Sequence, residues 1–176
     1  MLVNIPHPDD QRKFETVIEI HEWDTWNIDI TLAPIILPML KQLKETKHGA
    51  PNVDWEDVPR KLRPSKEELS LYNREGTTDR KFFKRWDWVL DEMIFAFDSK
   101  VNDDWEDQFS SGEIDHISVP VDKDGNEVPE ESAEFFEIRK GPNHTYEVDW
   151  EGYKAYQKRI SNGFRLFGKY FESLWD

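Results

Sequence analysis

The chain contains no cysteine. That absence excludes a disulfide framework, a thiolate nucleophile and a Cys-ligated zinc site. Positive charge is scarce as well. Lys and Arg number 23 against 37 Asp and Glu, a net charge of -14 with an isoelectric point near 4.8. A chain so charged repels nucleic acid as a whole, and no direct nucleic-acid partner is expected. Long apolar runs are missing too: the longest, Leu32 to Leu40, is far shorter than a membrane span and holds Pro34 and Pro38. The N-terminus turns polar at once after Met1–Pro6, so neither a signal peptide nor a membrane partner is expected. His7, His21, His48, His116 and His144 are scattered and make no zinc-binding spacing. There is no Gly-rich phosphate loop and no serine in a nucleophile elbow. No metal, no cofactor and no catalytic residue is expected.

What is present is aromatic. Trp, Phe and Tyr make up 14% of the 176 residues, with eight Trp and eleven Phe. This supplies apolar area for a sizeable core despite a mean hydropathy of -0.82. The length predicts a single domain over 1–176.

Along the chain, residues 1–13 read as a polar arm and Phe14 to Trp23 as a strand. A first helix is predicted over 28–48. Ile28, Leu32, Ile35, Ile36, Met39 and Leu43 form its core stripe, Asp29 or Thr31 its cap, and Gly49 its end. Pro34 suits a first turn, and Pro38 predicts a kink or a later start. Residues 49–78 read as a Pro-punctuated connection with a short helix over Ser65–Tyr72. Asp79 caps a second helix, about 80–99, whose core face is Phe82, Trp86, Val89, Leu90, Met93 and Phe97. Trp88 and Phe95 lie on its other side, where they offer a surface for homo-oligomerisation.

Residues 100–148 read as a β-like insertion in which acidic turns alternate with short β-like runs at Ile117–Val121, Phe135–Arg139 and Thr145–Val148. Gly141-Pro142-Asn143 is expected to join the Phe135–Arg139 and Thr145–Val148 strands in an antiparallel hairpin. The last helix, about 150–174, carries Tyr153, Tyr156, Ile160, Phe164, Phe167, Phe171 and Leu174 at helical spacing. Gly163 and Gly168 interrupt it, and a glycine there permits close approach of another backbone or a ligand. The fold class expected is therefore α+β, mainly α, with a three-helix core and a small antiparallel β-hairpin element.

Asp122-Lys123-Asp124-Gly125-Asn126-Glu127 opens like an EF-hand loop but has Glu127 where Gly belongs and Ala133 where Glu belongs, so an acidic hairpin turn is the better account. Glu19 and Glu22 have the spacing of a magnesium-binding helical pair. A partner pair would have to come from Asp87, Asp91, Glu92 and Asp98, which leaves a magnesium-dependent nucleotide hydrolase as one alternative.

The sharpest constellation is basic and aromatic. Residues 152–171 carry five cations and no acid, leaving -19 on the other 156 residues. Lys154, Lys158, Arg165 and Lys169 fall within roughly 60° of arc, taking about 100° per residue. Lys41, Lys44 and His48 make a ridge on the first helix, and Trp23 and Trp26 precede it. Cations neutralise phosphate and flat rings stack on bases. Trp23, Trp26, Lys41, Lys44, His48, Arg165 and Lys169 are thus the expected site for an anionic nucleotide.

Several segments carry a family likeness. They are Asp24-Thr25-Trp26, Thr31-Leu32-Ala33, Ile36 to Lys44, Lys47-His48-Gly49-Ala50-Pro51 and Glu56-Asp57-Val58-Pro59. Trp86, Leu90 to Phe97, Arg159 to Gly163 and Leu166 to Tyr170 complete them. Together they resemble a recurrent family of short tailed-bacteriophage proteins. The resemblance implies origin, not chemistry: an accessory protein made in the bacterial host cytoplasm, acting on host enzymes or defences. The functions expected are counter-defence by sequestering an anionic nucleotide signal or, alternatively, an acidic surface that occupies the nucleic-acid groove of a host or defence protein.

Overall fold

A computed structural model describes residues 2–4, 17–76 and 78–175. The fold is α+β and mainly α. It packs as two compact units, Met1–Asp103 with Gln157–Asp176, and Asp104–Tyr156. The single domain expected over 1–176, with an insertion at 100–148, therefore becomes a helical unit and a separate unit that takes in the start of the last helix.

In the helical unit, β1 (Leu2–Asn4) pairs antiparallel with β2 (Val17–Glu19), Leu2 opposite Glu19. The start of the expected polar arm is thus a strand. The rest of the arm and Phe14 lie outside the described residues. Four helices follow in the chain: α1 (Ile28–Thr46), α2 (Lys66–Glu75), α3 (Phe82–Val101) and α4 (Trp150–Lys169). Ala33, Leu37 and Leu40 of α1, Trp86, Val89, Leu90, Met93 and Phe97 of α3, and Leu166 with Tyr170 form the core, sealed by Val53 and Val58 from the connection. Among the described residues no helix is long and apolar enough to cross a membrane.

The buried face of α1 is only partly the expected one: Ile36 and Leu43 of the expected stripe pack against the core. Ile28 (53% exposed), Leu32 and Met39 (58% exposed) point to solvent. The segment Leu32–Leu40 is apolar nearly all round, so its periodicity fits two faces. The small Ala33 and the aligned Leu37 and Leu40 win the close contact with α3, while both prolines stay exposed. Pro34 and Pro38 sit inside a helix that begins at Ile28, so neither marks its start. Substituting Met39 by Ser should change stability by no more than about 0.5 kcal/mol. Leu37→Ala should cost about 2–5 kcal/mol. Urea melts of the two variants check the assignment.

Gly163 is buried where α4 meets α3. A Cβ there would lie 2.3 Å from the Glu92 carbonyl oxygen and 2.5 Å from the Ala96 Cβ. Gly168 has nothing within 4 Å of the same position. Gly168→Ala should therefore raise stability by about 0.5–1 kcal/mol, read as a melting temperature a few degrees higher.

In the second unit, β4 (His116–Val121) and β5 (Phe135–Lys140) form the hairpin, from His116 opposite Lys140 to Val121 opposite Phe135. The expected partner of β5 was the strand after Gly141-Pro142-Asn143. That strand, β6 (Glu147–Val148), pairs instead with β3 (Ser110–Ser111). Pro120 is tolerated because its carbonyl faces away from β5, toward the Val128 N–H, and its missing donor lies on that same outer side. Trp105 stacks on Tyr153 and Tyr156, with Phe109 edge-on to both tyrosines, so the first aromatics of α4 belong to this unit's own cluster. Asp149 caps α4 by accepting the Gly152 N–H at 2.9 Å.

Candidate functional site

The residues expected to receive an anion are already engaged. Lys41 pairs with Asp98 and Lys44 with Asp91, while the neighbouring Lys47 pairs with Asp87. The acidic edge of α3, spaced four and seven residues apart, runs alongside the basic edge of α1. Each pair is partly solvated and contributes at most about 1 kcal/mol, yet together they neutralise the ridge. His48 is exposed just beyond the end of α1. Trp23 and Trp26 are exposed but face each other, ring centroids 5.2 Å apart and nearly parallel.

Arg165 and Lys169 do converge, on the buried carboxylate of Asp57. Arg165 Nη2 donates to Oδ1 at 2.7 Å, and Lys169 Nζ and the Tyr170 hydroxyl donate to Oδ2 at 2.6 and 2.7 Å. Lys169 also pairs with Asp54, and Tyr170 accepts the Asp54 N–H at 2.9 Å. Asp57 thus ties the 49–65 connection to the end of α4. Burial alone would push its carboxyl up, but the donors from Lys169, Tyr170 and Arg165 outweigh it and hold the group below the ordinary carboxylate range. Burial and the bond to Asp57 push the Tyr170 hydroxyl up to about 12.

A carboxyl depressed on folding stabilises above its unfolded pKa, about 3.9, and the stabilisation is lost as pH falls through the folded value. Asp79 is depressed likewise, chiefly by its bond to Arg85. The urea midpoint should therefore be nearly level from pH 7 to about 5 and fall below about pH 4. Asp57→Asn should lower the plateau and flatten the fall.

Other sequence candidates separate in space. Glu19 ends a strand and Glu22 opens a 3-10 turn, so they share no helix face as a magnesium pair requires. Among the described residues no three His, Asp or Glu side chains group to hold a metal. The EF-hand-like run is a turn in the β4–β5 connection: Asp122 Oδ1 accepts the N–H of Asp124 and of Asn126, and Gly125 takes φ +82°. Trp88 packs half-buried on the core. Phe95 lies under the Arg159 guanidinium at 3.7 Å, whose fork grips the buried Glu92.

Sequence reading separated the cations of 152–171 from the rest but did not see that the remaining negative charge gathers on one unit. Residues 104–156 hold fifteen Asp and Glu against four Lys and Arg, so this unit carries -11 of the chain's -14. On the same unit Phe136 (57% exposed) and Ile138 (72% exposed) share one hairpin face, two residues apart on β5. Pro120 and Ser118 stand opposite them. Glu130, Glu131, Glu134 and Glu137 are all exposed nearby in sequence. A two-stranded hairpin buries little on its own, and here its apolar side chains stand among acids. Counting charges by segment finds this; a whole-chain charge hides it. Comparison with protein-family models, with curated proteins and with solved structures finds no match.

Proposed function

We propose that this protein acts by binding, and that its acidic unit docks on a basic surface of another protein. What carries the reading is the joint exposure of Phe136 and Ile138 within a unit of net charge -11. Acidic groups steer a basic partner and set its register, while apolar anchors supply the affinity that charge alone lacks. The resemblance to short tailed-phage proteins suggests a host or defence protein whose nucleic-acid groove is occupied. Nucleotide sequestration is the weaker reading, since Lys41, Lys44, Arg165 and Lys169 would first have to leave their carboxylates.

The test is capture of host nucleic-acid-binding proteins on the immobilised full chain, with duplex DNA as competitor. Capture that duplex DNA abolishes, and that falls at least tenfold with Phe136→Ala/Ile138→Ala or with Glu130→Lys/Glu134→Lys, supports docking. Lys41→Ala should leave it unchanged. Capture indifferent to the hairpin variants overturns the reading. Absence of capture, with a melting shift on adding nucleotide, would restore the nucleotide site.

A further inference from the structure

A cavity of about 440 Å³ lies in the helical unit between the 52–56 segment, α2 and the start of α3. That volume falls within the range of ligand pockets, about 300–1,000 Å³. Val53, Trp55, Pro64, Leu69 and Phe82 wall it with apolar and aromatic surface. Its charged lining is lopsided: Asp54, Glu56, Glu68 and Asp79 against Arg85.

The commitments of these groups decide what the cavity can hold. Arg85 is spent on Asp79 and on the Leu62 carbonyl, so it has little left to attract an anion. Asp79 is spent on Arg85, and Asp54 on Lys169. Glu68 gives one oxygen to the Ser65 N–H and retains the other. Glu56 is exposed, and among the described residues no hydrogen bond or ion pair occupies its carboxylate. Two carboxylates with spare acceptor capacity thus border aromatic and aliphatic walls. Such a lining suits a guest with an apolar stem and a positive head: the stem packs on Leu69 and Phe82, and the head meets carboxylate and ring faces.

The geometry points to a binding site for an alkyl ammonium or alkyl guanidinium group, either a Lys or Arg side chain of a peptide or a free organic amine. This site uses only the helical unit and does not depend on the acidic hairpin.

The full chain should be titrated with N-acetyl-arginine methylamide, with its uncharged citrulline counterpart and with putrescine. The readout is the Trp55 indole N–H resonance, assigned by its loss in Trp55→Phe. The arginine compound, putrescine or both should shift that resonance saturably, and the citrulline compound should bind at least tenfold more weakly. Response to the arginine compound alone identifies a peptide side chain as the source; response to putrescine alone identifies a free amine. Glu56→Gln/Glu68→Gln, which keeps the α2 cap acceptor, should weaken binding at least tenfold with an unchanged melting temperature. Glu130→Gln/Glu131→Gln should not weaken it. Equal binding of the citrulline compound, equal loss in the Glu130/Glu131 control, or no response to any probe overturns the assignment.

Discussion

Asp79→Ala is expected to destabilise the helical unit by about 3–5 kcal/mol, the cost of stranding a buried charge. Arg85 and Asp79 have side chains only 5% and 8% exposed, and the carboxylate meets the guanidinium two-pronged, at 3.0 and 2.5 Å. Asp79 also accepts the Lys81 N–H at 2.8 Å, just before α3 begins. Removing the carboxylate leaves Arg85, among the described residues, with one hydrogen-bond acceptor, the Leu62 carbonyl, and with the Phe82 ring. The desolvation already imposed on the guanidinium is then uncompensated. The sharper comparison is the double variant Asp79→Ala/Arg85→Met, which removes both charges and keeps an apolar stem. It should recover a large part of the loss, because a hydrophobic replacement avoids stranding either partner. Urea denaturation of the two variants reads the difference directly. A double variant no better than the single would mean that the lost start of α3, not the stranded cation, sets the cost.

Gly163→Ala is expected to cost about 2–3 kcal/mol, near the upper end of ordinary overpacking. The added methyl group meets the Glu92 carbonyl oxygen at 2.3 Å, and a helix backbone cannot swing aside as a side chain can. Relief requires α4 to move off α3, which loosens Leu166 and Phe164 from Met93 and Phe97 along the seam. Adding Ala96→Gly removes the second clash but not the first, so it should restore little. Chemical denaturation of Gly163→Ala alone and with Ala96→Gly tests this. Full recovery in the double variant would place the clash on Ala96 rather than on the backbone.

Gly163 also shows what a sequence can convey. Its place in a helical pattern signals either a weak helix or a close approach, and the close approach is what the structure contains. The face of α3 was legible because one side alternates large apolar residues with charge, so only one packing satisfies it. The face of α1 was legible only in part, at Ile36 and Leu43, since a nine-residue apolar stretch leaves several packings of similar burial. The β4–β5 pairing was missed for a related reason. Gly141-Pro142-Asn143 is a good turn signal; the Asp122–Glu127 run reads as a hairpin turn too, but it closes only the Val121–Glu127 bridge, and nothing local says that the chain returns at Phe135 to pair with Val121. The cations were found as a set but misread as open, because their carboxylate partners on α3 and at Asp57 are dozens of residues away in the chain. Helical spacing places Lys41 and Lys44 on one edge, but it cannot say what stands across from them.

The order in which the parts are made also matters. Residues 157–169 and Tyr170 belong to the helical unit, yet they are synthesised after all of 104–156. On the ribosome, α1 and α3 emerge first, with the faces that Leu166 and Tyr170 will cover still open to water, while the Asp104–Tyr156 segment is being made. A chain halted before Gln157 would hold every anchor of the acidic hairpin but lack the closing side of the helical core. Translation arrest at that point should yield a nascent chain whose α1–α3 remnant recruits chaperones, and the segment from Gln157 to Tyr170 should be what releases it.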